Sequence, residues 1–140
     1  MKKIEIFDSE KAITDNDINE FETKFNITLP ENYKKFLKKY NGGYLRDDEE
    51  RDYLRSLNPL KYGKGTIEFT YQIYCISEPL LEKEFLPIGK SYTDNPVTLC
   101  LKEGEHYGKI ILFFFDRDED PGLAADTLEE LLGVESIDDL

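Results

Sequence analysis

Histidines, cysteines and clustered carboxylates are the side chains through which a small protein most readily does chemistry. This chain offers one His, two Cys and thirty acids in 140 residues. His106, the only histidine, lies in the turn sequence GEHYG, and a general base or a metal site would have to be assembled around it from acids elsewhere in the chain. It reads as a solvated turn histidine. Gly63-Lys64-Gly65-Thr66 is the nearest approach to a phosphate loop, but Gly follows Lys where that loop needs Ser or Thr, so it reads as a turn. Neither GxSxG nor HExxH occurs. Cys75 and Cys100 are isolated in apolar stretches without a CxxC spacing, which predicts reduced core thiols and a cytoplasmic setting.

The acids are more informative. Asp116, Asp118 and Asp120 match positions 1, 3 and 5 of a calcium loop, but Pro121 stands where its obligatory Gly belongs and Thr127 where its bidentate Glu belongs. The run containing Asp116, Asp118, Glu119 and Asp120 is therefore expected to be an acidic loop at a strand end, and no metal or other cofactor is expected. A second cluster, Asp47, Asp48, Glu49, Glu50 and Asp52, is interrupted only by Arg51 and followed by Tyr53. Two readings of it stand: a solvated loop, or a negative surface that docks basic side chains, with Tyr44 and Tyr53 as aromatic anchors if the fold leaves them exposed. The formal net charge of −12 repels phosphate backbones and favours a cationic protein as partner. At physiological salt that attraction decays over about 8 Å.

The elements that must position these groups follow from periodicity. One domain spanning residues 1–140 is expected at this length, and nine Tyr and nine Phe supply core material. No apolar run is long enough for a membrane helix, and Glu5 and Asp8 interrupt the segment where a signal peptide would need an apolar run. Thr14 and Asp17 form a capping-box variant that starts a helix over residues 14–25, with Ile18, Phe21 and Phe25 along one stripe. A second helix opens with Pro30 in its first turn and carries Tyr33, Phe36, Leu37 and Tyr40 on one face and four lysines on the other. Asn41, Gly42 and Gly43 are expected to close it in left-handed conformations.

Residues 44–65 read as a long loop with at most one helical turn. Residues 66–75 alternate with period two and read as a half-buried strand, followed by strands at 85–88, 97–101 and 109–115. A last helix begins at Thr127. The prediction is an α+β domain: an antiparallel sheet with N-terminal helices and a C-terminal helix packed against it.

The run Leu29-Pro30, Tyr33-Lys34, Phe36-Leu37 and Asn41-Gly42-Gly43, preceded by Phe21-Glu22 and Phe25-Asn26-Ile27, resembles the N-terminal signature of the Smi1/Knr4 family of the SUKH superfamily. Residues 85–89, 97–101, 108–116 and 124–132 resemble its later strands and closing helix, so the resemblance spans residues 14–132. It lacks the Trp that many members carry, and Tyr44 follows the Gly pair instead. The resemblance implies an α+β fold and a non-catalytic, protein-binding role. Bacterial members are mostly immunity proteins that bind and block a toxin domain, such as a nuclease. Fungal relatives are linked to cell-wall synthesis and signalling, which leaves an intracellular regulatory module without a toxin partner as the alternative.

Overall fold

The computed structural model describes residues 1–140. Helix α1 (Asp15–Phe25) starts where Thr14 accepts a hydrogen bond from the Asp17 amide at 3.2 Å while the Asp17 carboxylate accepts from the Thr14 amide at 3.0 Å. It ends at Asn26, whose left-handed φ of 52° turns the chain. Helix α2 (Glu31–Lys39) buries Tyr33, Phe36 and Leu37, with its lysines on the outer side. Pro30 is extended (φ −61°, ψ 147°) and precedes the first helical residue, one step earlier than expected. A proline there needs no amide hydrogen, and its side chain sets the entry direction.

The Asn-Gly-Gly segment also differs from expectation. Tyr40, in extended conformation, already ends α2. Asn41 does not adopt a positive φ; its side chain is buried and donates to Lys11 O (2.8 Å) and Leu60 O (2.9 Å) while accepting from the Leu60 amide (2.6 Å). Only the glycines turn left-handed, with φ of 71° and 139°. A Cβ at Gly42 would lie 2.7 Å from the Pro59 nitrogen, so close backbone approach requires glycine there.

The sheet is a six-stranded antiparallel meander in the order β1-β2-β3-β4-β5-β6. Its strands are β1 (Gly43–Tyr44), β2 (Ser56–Leu57), β3 (Phe85–Lys90), β4 (Pro96–Cys100), β5 (Ile110–Leu112) and β6 (Gly122–Ala125). Cross-strand partners share a face. Leu86, Leu99, Ile110 and Ala125 form one such row, and all four belong to the main core. Pro87, Thr98, Ile111 and Leu123 form the row on the opposite face. Helix α4 (Leu128–Leu132), capped by Thr127, packs on β6 and buries Leu128, Leu131 and Leu132.

Residues 66–75 are not a strand. They form helix α3 (Ile67–Tyr71), which continues into a π-helical segment, Gln72–Ser77. Thr66 caps it by accepting from the Phe69 amide, and the buried set is Ile67, Tyr71 and Cys75 at intervals of four. Phe69 and Ile73, which strand alternation would have buried with them, are exposed. The helical stripe was embedded in the apparent alternation, and the edge of the Tyr71 ring against Phe25 of α1 (5.2 Å) favours the helix. The long loop contains the expected helical turn, Glu49–Arg51, together with the unforeseen β1 and β2.

Candidate protein-binding surfaces

The acidic cluster of residues 47–52 divides into an inward and an outward part. Arg51 has no exposed surface, and its guanidinium donates to Asp48 Oδ2 (2.5 Å), to Leu131 O at the last turn of α4 (2.5 Å) and to the Lys2 carbonyl. One cation thus ties the acidic loop, the N-terminal segment and the negative end of a helix together. Asp48, with its side chain 8% exposed, also caps the 3-10 turn by accepting from the Glu50 amide. It is held inside the loop. Asp47, Glu49, Glu50 and Asp52 point to solvent, and Glu50 accepts from the Lys2 amide at 2.6 Å.

Tyr53 is half-buried, and its hydroxyl lies under the surface without a hydrogen-bond partner. Burial pushes that hydroxyl above the ordinary tyrosine range. Tyr44, by contrast, is about half exposed.

The acidic cluster of residues 116–120 follows β5. Asp116, Asp118, Glu119 and Asp120 are all exposed. Asn95 fixes the start of this loop by donating to Asp116 Oδ1 (2.8 Å) and accepting from the Phe115 amide (2.8 Å). Arg117 pairs with Glu119 at 2.5 Å and stacks over Phe114. The two acidic segments, 64 positions apart at Tyr53 and Arg117, border one cavity of about 270 Å³ lined by Asp52, Tyr53, Tyr92, Phe114 and Arg117. Sequence spacing gave no sign of this meeting, nor of Tyr92, Asn95 and Phe114, because β4 and β5 bring them together.

A larger groove of about 690 Å³ lies on the sheet face opposite the main core. Its floor holds Phe85, Ile111, Phe113 and Leu123, and Phe85 meets Phe113 edge-on at 5.1 Å. His106 lines the groove, exposed, with its Nε2 3.3 Å from Glu105 Oε1. No three His, Cys, Asp or Glu side chains converge at metal-ligand spacing. Cys75 and Cys100 are buried and unpaired, and burial pushes the Cys75 thiol up to about 12. No helix is long and apolar enough to cross a membrane.

The residues of the Pro-to-Gly-Gly run serve the interior. Leu29, Tyr33, Phe36, Leu37, Asn41, Gly42 and Gly43 are buried, and the Leu29 amide donates to Glu22. The profile of the SMI1 / KNR4 family (SUKH-1) matches residues 12–133, most of the chain. This chain belongs to the SMI1/KNR4 family. No curated protein and no solved structure shows significant similarity to it. Within this SUKH-1 domain the signature residues build the core, while the acidic segments and the apolar groove form the accessible surfaces.

Proposed function

We propose that this SUKH-1 domain is a non-catalytic, cytoplasmic immunity protein that binds and neutralises a cognate cationic toxin domain, such as a nuclease. The observation that carries the reading is that two acid-rich segments reach one aromatic-lined cavity, the first through Asp52 and Tyr53 and the second through Arg117. Of the exposed acids, Asp52 lines the cavity itself; Asp47, Glu49 and Glu50 precede it in one segment, and Asp118, Glu119 and Asp120 follow Arg117 in the other. Such a surface attracts a basic partner, and Tyr53, Tyr92 and Phe114 supply the aromatic area that hot spots use. Family membership and the net charge of −12 support the same assignment. Asp48, held by Arg51, is left out of the proposed docking set.

The test is affinity capture from source-cell lysate at low and high salt, with a variant in which Asp47, Glu49, Glu50 and Asp52 become Asn or Gln. The expected result is one basic polypeptide with a toxin domain, retained at low salt, weakened by high salt and by the variant, whose toxicity in cells is suppressed by co-expression. Capture of cell-wall or signalling proteins, with no protection from any toxin, would overturn the assignment.

A further inference from the structure

The two edges of the sheet are treated differently. At one edge, β1 is covered by the N-terminal segment: the Phe7 amide donates to Tyr44 O (2.9 Å) and the Tyr44 amide to Phe7 O (2.8 Å). At the other, β6 is the last strand, and its backbone forms no hydrogen bond beyond its ladder with β5. Natural sheets blunt such edges with charge, proline or a covering segment. β6 reads Gly-Leu-Ala-Ala and carries no charge. Leu123 is 56% exposed on it, and Gly122 and Leu123 line the 690 Å³ groove, whose lining also includes Lys102 and Lys109 beside Glu82, Glu103 and Glu105.

We infer that the β6 edge is a strand-addition site for an extended segment of a basic protein, with apolar side chains at alternate positions and Lys or Arg at both ends. The inference rests on the protein-binding reading above and gives it a second contact surface. An added strand would run about 4.8 Å from β6, and its outward side chains would continue the row of Ile111 and Leu123 across the groove. The charge around the edge selects the occupant. In the chain, Asp118, Glu119 (paired with Arg117) and Asp120 precede the strand, and Asp126 (3.9 Å from Lys109), Glu129 (accepting from Asn32) and Glu130 follow it. Residues 116–130 hold seven acids and one base, about half of the chain's net −12. A neutral strand bracketed by acids matches a basic-apolar-basic segment. A second copy of this chain would bring acids against acids, and like charges oppose that pairing.

The experiment uses the full chain, labelled with nitrogen-15, and a synthetic peptide with a Val-Thr-Val-Thr-Val centre and two Lys at each end. Chemical shifts and amide hydrogen exchange are read residue by residue, with a peptide of the same centre flanked by Glu as control. The expected result is shift changes and slowed exchange at Gly122–Ala125, weakened at least tenfold by high salt, by Leu123→Lys and by neutralising Asp118, Glu119 and Asp120. Leu123 is exposed, so its replacement leaves the core intact, which the spectrum itself checks. Shifts confined to residues 47–53 would overturn the edge site and leave a basic partner standing. No response at millimolar peptide would also overturn it, as would β6 protection that rises with protein concentration alone. Protection at β6 combined with lysate capture of no basic toxin would keep the edge site and remove the immunity reading.

Discussion

Replacing Arg51 with Met keeps most of the apolar stem volume and deletes only the donor fork. Three acceptors then lose their cation: Asp48 Oδ2, Leu131 O and the Lys2 carbonyl. Removing one partner of a buried ion pair costs about 3–5 kcal/mol, because the remaining charge and carbonyls stay desolvated. Asp48 keeps 8% exposure on a surface loop and can turn to water, whereas Leu131 O lies in the core-packed last turn of α4. The loss is therefore expected at about 3–4 kcal/mol, a large fraction of the 5–15 kcal/mol typical of a domain. At this size that lowers Tm by about 10–15 °C. Arg51→Lys keeps the charge, but a single ammonium cannot serve three acceptors arranged around a guanidinium, so it should recover less than half of the loss. Gly133 closes α4 beside the same node with φ 71°, and a Cβ there would strike the Lys2 carbonyl, so the site has no slack in which a Lys could re-aim. Urea unfolding with an unchanged m-value is the assay. A loss below about 1 kcal/mol for Arg51→Met would refute the reasoning, since an uncompensated buried acceptor set cannot be that cheap.

Three further outcomes are expected. Asn41→Ala should cost about 2–4 kcal/mol in the same assay, because the Leu60 amide and the carbonyls of Leu60 and Lys11 all lose their partner. The Asp17 carboxyl is held below its ordinary 3.8, first by the Lys61 hydrogen bond and then by the Thr14 amide. Its contribution is therefore complete above about pH 4 and is lost as pH falls through the lower folded value, so Asp17→Asn should flatten the acid limb of stability against pH. Cys75, with its thiol pushed up to about 12 and its Sγ against Phe85 O, should resist thiol reagents at pH 8 until urea unfolds the chain. Rapid stoichiometric labelling of Cys75 in native buffer would show that the site opens.

Where local physics and tertiary packing agree, the fold was legible. The capping box at Thr14 and Asp17, the α2 face of Tyr33, Phe36 and Leu37, the cap at Thr127 and the central strands are local features, and their short connections imply antiparallel pairing. Residues 66–75 failed because Ile67, Tyr71 and Cys75 satisfy both a period of two and a period near four, and only packing against α1 separates the periods. Strands β1 and β2 are two residues each, and β2 is defined by its distant pairing with Gly89 and Lys90; β6, Gly-Leu-Ala-Ala, holds no β-branched or aromatic residue that would mark a strand.

The sequence by itself determined the charge, the caps at Thr14 and Thr127, the α+β class and the family, since these depend on composition and on neighbours within a few residues. Only the tertiary structure decided which acids face water. Asp47 and Asp48 are adjacent and chemically alike, yet one is exposed and the other is bound to a buried Arg51. Likewise, the meeting of the two acidic segments at one cavity, and the single uncovered edge at β6, depend on which strands pair. Pairing is a non-local outcome, fixed by the burial of the Leu86, Leu99, Ile110 and Ala125 row, and no window of the sequence contains it.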